Sequence, residues 1–218
     1  MFNIEQTEYN RIKREIYPFI ERVSKHYNKP ISHIRHYHIS EYCENNMNVI
    51  IKYPKFNKLM VDGFADKVDD YFIISINDNA IRQRKTFTLM HEITHCLMHF
   101  KDNSRHFSSD IERNTQNELE ANIGASLLLI NDEALDECLY KGYSFNRMLN
   151  TFGCSKNALY TRLVNYFQYN FSIYNNLAKK LVYNYSKGNV KKFFETFNKC
   201  KTYERMLALQ HEYERYII

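Results

Sequence analysis

The stretch T86-F-T-L-M-H-E-I-T-H-C-L-M-H-F100 carries three histidines four residues apart, with a glutamate directly after the first. On a helix, residues four apart stand one above the other on the same face, so the H-E-x-x-H of His91, Glu92 and His95 brings two imidazoles within reach of one ion. Phe87, Leu89, Met90, Ile93, Thr94, Leu97, Met98 and Phe100 make this helix apolar nearly all round. Such a helix is buried, and its polar side chains need partners there.

The residue types define the chemistry. Neutral histidines leave most of the charge on a Zn²⁺ ion, which lowers the pKa of a bound water towards about 7 and polarises a carbonyl. Glu92, beside the first ligand and not bound itself, is placed to take the water's proton as general base and return it to the leaving amine. The competing reading is a buried helix whose histidines bond to carbonyls, and a third ligand separates the two. His99 lies one turn, roughly 6 Å, beyond an ion seated between His91 and His95, so it belongs beside the site and not on the ion. The better third ligand is in N-E-L-E-A-N on the next helix, where Glu118 and Asn122 share a face. Glu118 can ligate there while Asn122 fixes a histidine by its free ring N–H. Glu120 points about 200° away and suits the opposite face, and Glu112, in the preceding loop, is a weaker rival for the third ligand.

Working outward, residues 4 to 28 read as helix from Tyr9, Ile12, Ile16, Phe19, Ile20, Val23 and Tyr27, with Pro18 expected to kink it or start a second helix. A short helix is expected over residues 32 to 46. The β-branched run M47-N-V-I-I-K-Y53 and the run Y71-F-I-I-S-I-N77 read as strands, with a third around residues 59 to 65. After the quoted helix, residues 101 to 117 are polar without an apolar period, a long loop of the kind that usually exists for function. From Asn131 onward the pattern is helical, punctuated by Gly142, Gly153 and Gly188.

Composition bounds the class. A chain of 218 residues buries one good-sized core, and with only 5 Gly and 3 Pro both disorder and turn-rich all-β architectures lose ground. Five scattered cysteines without a CxxC pair read as reduced thiols. The charged N-terminus lacks a signal-peptide core, and no stretch approaches the roughly 18 apolar residues of a membrane span. A soluble cytoplasmic protein is expected, with no membrane partner.

The two helical motifs resemble those of the ImmA/IrrE family of zinc metallopeptidases. R82-Q-R-K-T-F-T-L-M-H-E-I-T-H-C-L-M-H99 is similar to that family's R-x-x-F-T-x-x-H-E-x-x-H-x-x-x-H, and E118-L-E-A-N-I-G-A-S-L-L-L129 resembles its E-x-x-A-N-x-F-A-x-x-L-L-M-P. G63-F-A-D-K-V-D-D-Y-F-I-I-S-I-N77 falls where the family has a Gly-Phe turn and a strand. The resemblance covers roughly residues 5 to 168. It implies one zinc ion per chain held by His91, His95 and Glu118, Glu92 as catalytic base, and Asn122 and His99 in the surrounding shell. The expected fold is α+β and mostly helical: a zincin-like core with a small sheet packed on the H-E-x-x-H helix over residues 1–130, then an all-helical region over 131–218. The chain departs from the family pattern at Gly124, where a Phe is expected, and at Ile130-Asn131 in place of Met-Pro.

The resemblance also implies a substrate: active members inactivate a helix-turn-helix repressor, releasing a mobile element, prophage or stress regulon. The alternative from the same family is a module that inactivates its repressor by binding alone, with structural zinc. Residues 144 to 167 have a helix-turn-helix outline of their own, in which Arg147, Lys156 and Arg162 could meet phosphates. With few charges there, packing against the protease helices is the favoured account, and direct nucleic-acid binding is the lesser expectation. The Lys-rich, aromatic segment 169–218 reads as core packing plus a basic face.

Overall fold

The computed structural model describes residues 4–56, 62–100 and 115–216. The candidate ligand Glu112, most of the long polar loop and the start of the expected third strand lie outside them.

Among the described residues the order is α1 (Gln6–His26), a 3-10 turn (Ile31–His33), α2 (His36–Asn46), β1 (Val49–Lys52), β2 (Gly63–Val68), β3 (Tyr71–Ile76), α3 (Arg82–Met98) and α4 (Thr115–Leu129). Then follow α5 (Asp132–Tyr140), α6 (Phe145–Phe152), α7 (Lys156–Phe171), α8 (Asn175–Ser186) and α9 (Val190–Tyr216). This is the α+β, mostly helical fold that the sequence pattern predicts.

Helix α1 buries Tyr9, Ile12, Ile16, Phe19, Ile20 and Val23, the stripe read from the spacing. It is one helix with Pro18 inside. Pro18 and Arg14, whose carbonyl loses its N–H partner, are both exposed, so water can take the place of the missing bond. The expected helix over 32 to 46 divides into the 3-10 turn and α2.

The sheet has the order β1-β3-β2, with β1 parallel to β3 and β2 antiparallel to it. The third strand begins later than the sequence suggests, at Gly63, and pairs with β3 from Gly63↔Ile76 to Val68↔Tyr71. Asp69, at φ 53, turns the hairpin in the left-handed region that Asp tolerates. Val49, Ala65, Ile74 and Ile76 are buried in the same core as α3.

Two glycines let neighbours approach α3 closely. A Cβ on Gly63 would lie 2.6 Å from Thr88 Cγ2, and one on Gly124 would lie 2.3 Å from Thr94 Cγ2. The sheet and α4 thus meet α3 at positions where any larger residue would hold them off. The departure of Gly124 from the family's Phe is therefore a packing feature of the α3/α4 crossing.

The other departure has an equally local explanation. Ile130 is buried, and Asn131 caps α5, accepting from the Ala134 N–H at 2.8 Å and donating to the Ile31 carbonyl at 3.0 Å. A side-chain cap starts the next helix here without proline.

Beyond α5, the helix-turn-helix outline is present as α6 and α7, with Ser155 capping α7. Its apolar residues, among them Phe145, Phe152, Leu159, Leu163 and Val164, belong to the core. Arg162 is 1% exposed and cannot meet a phosphate. It donates to the Ile130 carbonyl at 2.7 Å and pairs with Asp132, which also pairs with Lys13 of α1. Tyr17 of α1 adds its hydroxyl, accepting from the Asp132 N–H at 2.9 Å. Burial alone would raise the Asp132 carboxyl, yet the Arg162 and Lys13 charges hold it well below the usual carboxylate range. Arg147 and Lys156 are exposed, and Arg147 lies over the Tyr143 ring at 3.7 Å.

In the tail, Tyr185 stacks on Phe193 at 3.8 Å, and Phe193 and Phe197 are fully buried. Gly142, Gly153 and Gly188 lie between helices at positive φ, but the break between α7 and α8 falls at Ser172, φ 53, which no glycine marks. All five cysteines are free. No helix among the described residues is long and apolar enough to cross a membrane.

Candidate metal centre

Helix α3 is held between the sheet and α4, and burial on most of its circumference leaves the histidine face turned towards α4. His91 Nε2 and His95 Nε2 are 3.0 Å apart. Glu118 of α4 closes the third side, with its carboxylate oxygens 3.4 Å from His91 Nε2 and 3.6 Å from His95 Nε2. One ligand atom from each residue lies within 4.8 Å of the others. A tetrahedral ion with ligand bonds of about 2.0–2.2 Å sets its donors about 3.3 Å apart. The three donors fit such an ion with adjustments of a few tenths of an ångström. In the tautomers that turn both Nε2 lone pairs to this point, the two rings and the carboxylate repel one another unless a cation lies between them.

The remaining expected residues take separate positions. Glu92 is 6% exposed, and its carboxylate, together with Cys43, adds to the burial that pushes the Cys96 thiol well above its ordinary range. Cys96 is not one of the donors that converge, which are His91, His95 and Glu118. His99 sits on the side of His95 away from Glu118, with Nδ1 2.8 Å from His95 Nδ1. Asn122 is exposed. His95 Nδ1, one of the two ring nitrogens open to it, is taken by His99 instead.

Asn122 lines a cavity of about 540 Å³ between α3, α4 and α7, with Phe87, Leu119, Ile123, Thr161 and Asn165 among its walls. Phe87 stands one turn before His91 on α3, and Asn122 one turn after Glu118 on α4, so the cavity adjoins the His/His/Glu cluster. Its charged wall residue, Arg84, is tied to Asp62 at 2.7 Å.

Sequence reasoning missed two participants. Glu120, expected on the opposite face, is buried and lies 3.2 Å from His99 Nε2. Arg11, on α1, pairs with Glu120 at 2.6 Å. The third histidine's four-residue spacing was a signal that His95 has a neighbour. No spacing connects Arg11 to residues more than eighty positions away.

Two converging imidazoles and a carboxylate on adjacent helices, backed by a small sheet, define a candidate metal centre of the H-E-x-x-H type. The family model described as Peptidase_M78, the IrrE N-terminal-like domain, matches residues 44–164. That is more than half of the 218 residues, and the chain belongs to this family of peptidases, as its motifs indicate. No curated protein matches the chain.

Proposed function

We propose that this protein is a zinc-dependent endopeptidase of the cytoplasm that cleaves a protein substrate, a helix-turn-helix repressor, and so relieves repression of a mobile element, prophage or stress regulon. The observation that carries the catalytic part is the convergence of His91 Nε2, His95 Nε2 and Glu118 within 4.8 Å, next to Glu92. The repressor and the biological outcome rest on the family resemblance.

In this reading His91, His95 and Glu118 hold one zinc ion per chain. When bound, the ion acidifies water and polarises the scissile carbonyl. Glu92 takes a proton from the attacking water as the C–O bond forms, then delivers it to the amide nitrogen as the C–N bond breaks. The buried setting of Glu92 keeps its carboxylate on a helix that cannot swing, which holds the proton acceptor in place between steps. The neighbouring cavity, with largely uncharged walls, receives substrate side chains beside the scissile bond.

The test is incubation of zinc-loaded protein with a helix-turn-helix repressor, reading new chain termini by mass spectrometry. Glu92→Gln should retain zinc and yield no new termini. A fully active Glu92→Gln protein refutes the mechanism. If Glu92→Gln leaves activity in cells unchanged while His91→Ala unfolds the protein, the non-catalytic binding module with structural zinc takes its place.

A further inference from the structure

The contacts behind the candidate ligands run in one direction. His95 presents Nε2 to His91 and Glu118, and its other ring nitrogen lies 2.8 Å from His99 Nδ1. His99 Nε2 in turn lies 3.2 Å from Glu120 Oε2. The other oxygen of Glu120 accepts from Arg11 at 2.6 Å and from Gln116 Nε2 at 3.0 Å. Arg11 is itself braced by Glu8 at 2.7 Å and Glu15 at 2.8 Å, so α1 anchors the far end.

Hydrogen-bond chemistry allows only one proton arrangement along this chain when His95 Nε2 is a ligand. A ligating nitrogen carries no proton, so neutral His95 holds its proton on Nδ1 and donates it towards His99. His99 Nδ1 must then accept, which leaves the His99 proton on Nε2, facing Glu120. The Glu120 carboxylate accepts, and the Arg11 guanidinium, which only donates, supplies the balancing charge. Each link fixes the tautomer of the one before it.

We propose that His99, Glu120 and Arg11 are positioning residues that lock His95 in the tautomer and ring orientation that aim its Nε2 at the ion. The device differs from a direct carboxylate–histidine pair because a second imidazole is inserted between the ligand and its carboxylate. It also ties the metal centre to α1, which precedes the residues matched by the family model. The inference rests on the metal-centre reading and is independent of whether a peptide is cleaved.

The experiment has two readouts on the full-length protein. Zinc affinity is measured by competition with a chromogenic chelator for the wild type, His99→Phe, Glu120→Ala and the double variant, with unfolding of each apoprotein followed in parallel. Each single substitution should weaken zinc binding about 10 to 100-fold. The double variant should be no weaker than about twofold beyond the worse single one, because both break the same serial chain. Zinc affinity within about twofold of wild type in either single variant, or losses that multiply, overturns the proposal. The second readout needs no variant: long-range ¹H–¹⁵N correlation spectra of the zinc-loaded wild type report the histidine tautomers. A neutral His99 protonated on Nε2 is expected. A proton on His99 Nδ1, or on both nitrogens, overturns the proposal even if a variant fails to fold. Wild type that binds no zinc overturns this inference and the metallopeptidase reading together. Zinc binding with the expected tautomer but no cleavage of any repressor sinks the peptidase reading alone.

Discussion

Replacing Gly124 by Ala tests whether the α3/α4 crossing sets the metal centre. The added Cβ would lie 2.3 Å from Thr94 Cγ2, 2.9 Å from its hydroxyl and 3.2 Å from its Cβ. Threonine is stiff at χ1, and this one is fully buried with its hydroxyl bonded to the Met90 carbonyl at 2.8 Å. Rotation therefore exchanges one clash for another and breaks that bond, so the helices must separate. Overpacking of this kind costs about 1–3 kcal/mol, against about 1 kcal/mol gained from alanine's better helix propensity. The net loss is up to about 2 kcal/mol, or roughly 4–8 °C in Tm for a chain of this size. In a Thr94→Ala background the contacts with Cγ2 and the hydroxyl are gone, and the one left, 3.2 Å to the Cβ, needs a shift of only a few tenths of an ångström. There Gly124→Ala should lower Tm by less than it does beside Thr94. The assay is thermal unfolding of the four apoproteins of this cycle, with chelator competition for zinc, since a displaced α4 carries Glu118 away from His91 and His95. If Gly124→Ala raises Tm equally in both backgrounds, with zinc affinity unchanged, the close crossing does not constrain the site.

Further outcomes follow from the same geometry. Elemental analysis of the purified protein should find about one zinc per chain, lost in both His91→Ala and Glu118→Ala, because two donors hold zinc far more weakly than three. Asp132→Asn leaves the Arg162 charge buried beside a neutral amide, and loss of a buried ion pair's partner costs about 3–5 kcal/mol, readable by denaturant unfolding. The sign of its pH dependence is set by the depressed Asp132 carboxyl. Its contribution is complete above the unfolded-state pKa of about 3.9 and disappears as pH falls through the lower folded value, so wild type and variant should converge in stability only in strong acid. Equal stability of the two at neutral pH would show that the Ile130 carbonyl and the Tyr9 hydroxyl suffice to hold Arg162.

Much of the fold was legible because period and composition report it directly. The α1 stripe from Tyr9 to Val23, the strands around Ile50 and Ile74, and the apolar circumference of α3 each follow from local spacing. The boundaries were less visible where a side chain other than glycine or proline makes the break. Asn131 starts α5 as a cap, Ser172 ends α7 in the left-handed region, and Pro18 passes through α1 because its exposed face lets water replace the lost bond. In the candidate site, His91, Glu92 and His95 are a local pattern on one helix. Glu118 was legible one step further, since its helix follows α3 in the chain and carries a carboxylate at the right phase.

What the sequence determined alone is the set of groups that periodicity places on one face of one helix: the two imidazoles, the glutamate beside them, and the apolar surface that buries them. What only the tertiary structure decided is everything that depends on how helices cross. Gly124 against Thr94 sets the depth at which α4 lies on α3, which turns Glu118 towards the two Nε2 atoms and, two residues on, puts Glu120 on His99. Arg162 reads as a surface cation until α7 folds it against Asp132, and Arg11 reads as one more charge on α1 until it meets Glu120. The physical reason is that helical phase is a property of a few neighbouring residues, whereas the distance between two helices is set by side-chain volumes at their crossing, residues that lie far apart in the chain.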